Sequence, residues 1–222
     1  QFHIYLQQQH QQFPLDLKLN LLLLLLKDLI HGIFEYRSKN PSKAWRTTFD
    51  YCIFFGSLIP ALLWGVTVGN LIQGTPIDAH MNFVGGFFDL LSPYTILCGI
   101  AFILVFLYHG ALYTCIKTVG AISERARATA LVEGVVTAVG ALVLVGATYV
   151  YTDLFKSTLA AVAFAAAIIC FLISWGVTRV RRPGLGFVFS CLTVIFVTVA
   201  YFAGLFPRIM VSSLDPAWSL TV

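Results

Sequence analysis

Apolar residues come in long runs, and the polar stretches between the runs are short and charged. The runs at 47–72, 92–116, 128–151, 157–177 and 184–206 each hold enough residues, at 1.5 Å rise, to cross a bilayer as a helix. They are apolar all round, whereas a soluble bundle would show polar faces at helical period. A sixth run, 17–36 (LKLNLLLLLLKDLIHGIFEY), has the length of a span but is broken by Lys27, Asp28 and His31. Charges at mid-helix cost about 2.5–3.5 kcal/mol each on insertion scales, so this helix needs protein neighbours or its sequence is partly corrupted. Residues 1–16 are rich in Gln and His and are expected to be disordered or aberrant. The predicted fold is all-α: a polytopic transmembrane helical bundle over 17–222 with about six spans. Pro60 is expected to kink the second span, and Pro93 sits in the first turn of the third, where its missing N–H costs nothing.

The loops alternate in charge. Arg37, Lys39, Lys43 and Arg46 precede the second span, Lys117, Arg125 and Arg127 follow the third, and Arg179, Arg181 and Arg182 follow the fifth. The intervening loops hold only Lys156 and Arg208. The positive-inside rule places the basic loops 37–46, 117–127 and 178–182 in the cytoplasm and agrees across all six spans. The outward loop 73–91 is rich in Gly and Phe, and its rings are expected at headgroup depth.

Composition narrows the class further. Of 222 residues, 59% are hydrophobic and 11% charged, with a mean hydropathy of +0.85; soluble domains carry about 25% charged residues. A soluble enzyme, a disordered chain and a disulfide scaffold are thereby excluded. The net charge of +4 is spread over loops with no basic face for nucleic acid. Cys52, Cys98, Cys115, Cys170 and Cys191 all lie in apolar runs and read as small packing residues. No metal-ligand spacing and no P-loop, GxGxxG, HExxH or GxSxG motif occurs. The chain starts at Gln1 and stops in what reads as a loop, and is expected to be a fragment.

Ionisable groups inside spans are rare and often functional. Glu35 closes the first span, and Lys39, four residues on, can pair with it if the helix continues that far. The pair reads either as an interface ion pair or as a proton entry point. Asp50 lies one turn after Arg46, with which it can pair, or it can favour the helix N-terminus; it joins Glu35 and Lys39 as a candidate for a proton pathway. His109 sits eight residues before Lys117, and Glu133 six after Arg127, which places them about 12 and 9 Å inside the cytoplasmic ends of adjacent helices. Depth alone suggests that they meet, either as a proton-carrying pair or as a structural hydrogen bond. No second His or Met is placed to make His109 a haem ligand. Asn70 and Gln73 can cap the second span or bond across it, and Gly56, Ser57, Gly65 and Gly69 permit close helix packing.

Longer signatures point further. FEYRSKNPSKAWRTTFDY (34–51), GSLIPALLWGVTVGNLIQGTPID (56–78), GGFFDLLSPYTILCG (85–99), HGALYTCIKTVG (109–120), ERARATA (124–130), FVFSCLTV (187–194) and FPRIMVSSLDPAWSLT (206–221) resemble, in order, subunit II of cytochrome bd quinol oxidase. The resemblance covers about residues 32–222 and implies the third to eighth of nine spans. It implies an oxidoreductase complex of the bacterial or archaeal plasma membrane that oxidises quinol and reduces O₂ to water. Haems b and d would reside in a partner, subunit I, and this chain would bind no cofactor or metal. Further expected partners are membrane lipid, quinone and a small accessory subunit. The family's F-[D/E]-Y-R-x-K segment implies a proton-uptake role for Glu35 and Lys39. The other classes kept open are a secondary transporter and a structural or assembly protein. The fragment is expected to be poorly stable alone, since its helix faces would lack their partners.

Overall fold

A computed structural model of the chain describes residues 35–222. The Gln-rich segment 1–16 and all but the last two residues of the expected span 17–36 lie outside the described residues. The chain divides into two parts, one ending at Leu58 and one running from Ile59 to Val222. Helix α1, Lys43–Gln73, contributes to both and has Pro60 inside it.

In the first part, residues 35–39 form a helical turn that breaks at 40–42, where Asn40 Oδ1 accepts from the Ser42 N–H at 2.9 Å. That bond is the local turn-forming chemistry of asparagine. The Ser42 carbonyl accepts from the Arg46 N–H at 3.2 Å, which opens α1. Trp45 Nε1 donates to the Tyr36 carbonyl at 2.8 Å and ties the turn to the helix.

In the second part, α1 is followed by α2 (Pro93–Lys117), α3 (Ala121–Tyr151), α4 (Thr158–Arg179) and α5 (Pro183–Leu205). Including α1, five described helices are long and apolar enough to cross a membrane. Ser92 starts α2 by accepting from the Thr95 N–H at 3.1 Å, with Pro93 in the first turn as expected. Helix α3 begins at Ala121, not near 128, so Glu124, Arg125 and Arg127 lie on helix and the loop shrinks to 118–120. The apolar pattern marks where a helix meets hydrocarbon, not where it ends. Gly120, at φ +65°, supplies the left-handed corner before α3.

Close approach and interhelical hydrogen bonds hold this part together, as suits helices whose solvent is as apolar as they are. Two glycines on α1 face α2: a Cβ on Gly65 would lie 2.6 Å from the Gly99 Cα, and one on Gly69 3.0 Å from the Thr95 Cα. A Cβ on Gly56 would meet nothing within 4 Å among the described residues. Tyr108 on α2, 1% exposed, reaches Ser174 on α4 at 2.8 Å. Ser174 donates its own proton to the Gly186 carbonyl on α5 at 2.6 Å, so the Tyr108 hydroxyl is the donor to Ser174. Tyr94 donates to Thr148 on α3 at 3.1 Å, and Trp175 Nε1 donates to the Leu131 carbonyl at 3.0 Å. One apolar cluster gathers Ile72, Leu154, Phe164, Tyr201 and Leu205 where α1, α3 and α5 finish.

That end is closed by loops. Thr75 donates its N–H to the Val211 carbonyl at 3.0 Å, and Ser212 Oγ donates to the Ile77 carbonyl at 2.8 Å. Strands β1 (Arg208–Met210) and β2 (Leu220–Thr221) pair antiparallel in what the sequence presents as loop. Phe87 and Phe88 project outward, 64% and 81% exposed.

Candidate functional site

The first group of candidates lies on the turn 35–39 and the start of α1. Glu35 and Lys39 pair at 3.2 Å, one helical turn apart, which meets the sequence condition that the helix reach Lys39. The Lys39 ammonium also sits 4.7 Å over the Tyr36 ring. Asp50 pairs differently from expectation. The spacing favoured Arg46, but Arg37 takes both carboxylate oxygens, Nε at 2.6 Å and Nη2 at 3.2 Å. A guanidinium matches two carboxylate oxygens at once, and the bend at 40–42 turns Arg37 back onto α1, which a helical spacing rule cannot foresee. The bond to Asp50 raises the Arg37 guanidinium above its ordinary range, with the opposite charge as a second cause. Two acids and two bases thus interlock within sixteen residues of sequence, and all four are solvent-accessible along the described chain.

The second group lies on α2, α3 and α5. His109 does not meet Glu133 among the described hydrogen bonds and ion pairs. His109 Nδ1 is 2.8 Å from Ser190 Oγ on α5, and its ring stacks on Phe187 with centroids 4.5 Å apart. Equal depth placed His109 and Glu133 on one level, but side-chain direction around the helix decides the partner, and His109 turns to α5. Ser190 donates its hydroxyl proton to the Phe187 carbonyl at 2.7 Å. Its oxygen is therefore the acceptor for the imidazole, so Nδ1 carries the proton and Nε2 keeps a lone pair. The group offers a proton acceptor with no acidic neighbour bonded to it.

One further polar feature was not singled out from sequence. Glu124 accepts from Arg127 Nη2 at 3.1 Å and from Arg181 Nη1 at 3.1 Å, which joins the start of α3 to the α4–α5 turn. Its i,i+3 spacing to Arg127 was a readable signal; the bond to Arg181, whose φ is +62°, was not. Asn70 Nδ2 donates to the Val66 and Leu90 carbonyls, both at 2.8 Å, and Gln73 Oε1 accepts from Ser92 Oγ at 2.6 Å. These amides bond across to the loop, one of the two roles anticipated for them. Cys98, Cys115 and Cys170 are buried and Cys191 is half-buried, as packing residues should be, but Cys52 is exposed. Among the described residues no three His, Cys, Asp or Glu side chains gather as a metal site.

Comparison with known proteins adds the family. Residues 13–222 match the model for cytochrome bd terminal oxidase subunit II. The chain is 33% identical over 191 residues to the cytochrome bd ubiquinol oxidase subunit 2 of Bacillus subtilis, with 85% of this chain and 56% of that protein covered. It is 42% identical over 110 residues to the cytochrome bd-I ubiquinol oxidase subunit 2 of Escherichia coli K12, covering 48% and 29%. A Haemophilus influenzae protein named "Probable cytochrome oxidase subunit 2" is 30% identical over 222 residues, covering 84% and 58%. The chain thus spans about half the length, or less, of the curated relatives it matches.

Proposed function

This chain belongs to the cytochrome bd terminal oxidase subunit II family, and from that premise we propose that it is the haem-free membrane subunit of a bd-type quinol oxidase. The complex transfers electrons from two quinols to one O₂, giving two quinones and two waters; the four protons consumed in forming water come from the cytoplasm. The chemistry belongs to the haem-bearing subunit I, with its b- and d-type haems. This chain stabilises that partner in the bacterial or archaeal plasma membrane and lines the cytoplasmic approach for protons. Its basic segments 37–46, 117–127 and 178–182, which include helix ends, face the cytoplasm.

The observation that carries this reading is the family match over 13–222. The described residues fit a haem-free role. His109 is the one histidine on the described helices, and no second histidine or methionine on those helices stands opposite it as an axial ligand. They fit proton entry at the 35–50 segment as well. Glu35 is 69% exposed and Asp50 53%, so water reaches both carboxylates, while Lys39 and Arg37 fix their positions. Arg37 favours the charged form of Asp50, so a proton passes this acid without being held on it. Glu35 is assigned as the loading group, Lys39 and Arg37 as positioning residues, and Asp50 as the next acid.

The test starts with a reduced-minus-oxidised visible spectrum of the membrane complex purified through the full-length form of this chain. Bands of b- and d-type haem with quinol-dependent O₂ uptake are expected; a colourless preparation overturns the reading. Glu35→Gln and Lys39→Met are then expected to slow turnover and proton uptake while the haem bands persist. Unchanged proton uptake in both variants would leave this segment a purely structural role.

A further inference from the structure

The polar cavity where α1, α3 and α5 finish has no part in the reading above. Its volume is about 310 Å³, and its lining includes Gln73, Tyr149, Thr152, Asp153 and Arg208. Arg208 and Asp153 share the cavity, yet no ion pair joins them. Asp153 pairs with Lys156 at 2.8 Å, and among the described residues no carboxylate lies within ion-pair distance of Arg208. A guanidinium and a carboxylate that face one cavity without touching leave room between them for a group carrying both charges.

A second cavity, about 360 Å³ and almost wholly apolar, lies deeper along the same two helices. On α3 its wall includes Leu142 and Val145, and the same ridge continues in steps of three or four through Tyr149 to Thr152 in the polar cavity. On α5 the wall includes Val197 and Tyr201, and that ridge ends at Leu205, the last residue of the helix, beyond which Arg208 on β1 lines the polar cavity. From Val145 to Tyr149 is about 6 Å of helix. Charged space thus gives way to apolar space along one track running inward from the helix ends. Tyr149 and Tyr151, 75% and 60% exposed, sit at the level where amphipathic rings mark the membrane interface.

We propose that the two cavities together hold one zwitterionic phospholipid, its phosphate on Arg208, its ammonium towards Asp153 and one acyl chain along the α3–α5 ridges. Arginine is suited to a phosphate by its forked donors. Asp153 selects an amine-bearing head over an anionic one. By the charge of the loops this is an outer-leaflet lipid. The inference needs the chain to cross a membrane and does not depend on the haem chemistry.

The test uses the full-length protein with whatever partners co-purify, exchanged through lipid-free detergent, with retained lipid and quinone counted by mass spectrometry. Exposure to nanodiscs of phosphatidylethanolamine or of phosphatidylglycerol precedes the count. The unaltered protein is expected to retain about one phosphatidylethanolamine per chain, and Arg208→Gln to lower that retention about tenfold, the loss of one charge-assisted contact. Asp153→Asn is expected to remove the preference for phosphatidylethanolamine over phosphatidylglycerol, and covers the case in which the Arg208 variant does not fold. Arg125→Gln, at the opposite end of the helices, should change neither. Equal retention with and without Arg208, an anionic lipid retained as well as the zwitterionic one, or a quinone in its place each overturns the proposal. The haem spectrum is recorded on the same samples, so failure of the oxidase reading is seen separately.

Discussion

Gly65 offers the sharpest test of how α1 and α2 are held. In Gly65→Ala the new methyl would lie 2.6 Å from the Gly99 Cα, 2.8 Å from the Cys98 carbonyl oxygen and 3.0 Å from the Gly99 N. Ordinary contact begins near 3.4 Å, and all three neighbours are backbone atoms that no rotamer change can move aside. The helices must part by about 1 Å, which forfeits dispersion along the whole contact and costs about 1–3 kcal/mol as overpacking. Gly69, one turn on, shares the contact through Thr95 and Cys98, so separation at Gly65 loosens it too.

The control is the same substitution nine residues earlier, at Gly56. Among the described residues nothing lies within 4 Å of a Cβ at Gly56, and there alanine brings its better helix propensity, roughly 0.5–1 kcal/mol of stabilisation. The assay is the thermal midpoint of the purified membrane protein in one detergent, by loss of soluble, monodisperse material. Gly65→Ala should lower the midpoint, and Gly56→Ala should hold or raise it. Equal midpoints for the two variants would refute the claim that backbone proximity at Gly65, rather than glycine content, sets this helix pair.

Two further outcomes follow from the hydrogen bonds. Tyr108→Phe removes the donor to Ser174 but leaves the Ser174–Gly186 bond intact, so the cost should be about 0.6 kcal/mol and no more than about 1.7, read from the same midpoint. Glu124→Ala frees Arg127 and Arg181 at an exposed site, so it should cost about 0–1 kcal/mol and less at high salt. It should also speed amide hydrogen exchange at 179–182, where Arg181 holds a left-handed conformation.

What the sequence disclosed divides along physical lines. Helices in a bilayer are announced by length and hydropathy, so the five spans from α1 to α5 were readable to within a few residues, save the start of α3. There the charged first turns of the helix, from Ala121 on, read as loop because hydropathy reports the surrounding solvent and not the backbone. Contacts within one helical turn were legible too, as Glu35 with Lys39 shows. Partners chosen by a bend or by the rotation of one helix against another were not. Arg37 reaches Asp50 through the break at 40–42, and His109 turns to Ser190, eighty-one residues away, because its face of α2 is set by the packing of α5. Neither fact leaves a mark in periodicity.

His109 was left with two roles, a proton carrier or a structural bond, and its geometry separates them. Its Nδ1–H donates to Ser190, while Nε2 is free of any described partner. Asparagine places an amide N–H where Nδ1 stands and has nothing in the place of Nε2. If the bond to Ser190 is the whole role, His109→Asn keeps the donor, and both thermal midpoint and turnover should stay near those of the unaltered protein. His109→Phe keeps the ring on Phe187 but leaves Ser190 without its donor, and should lose about 0.6–1.7 kcal/mol. If Nε2 carries a proton, His109→Asn keeps the midpoint yet lowers turnover, with the loss steepest on the alkaline side, where protons are scarce. The bonding pattern favours the first outcome, since a proton carrier needs a second group to hand to and Glu133 is not bonded to it. An asparagine variant as unstable as the phenylalanine one would refute the assignment of the proton to Nδ1, because a retained donor would then have counted for nothing.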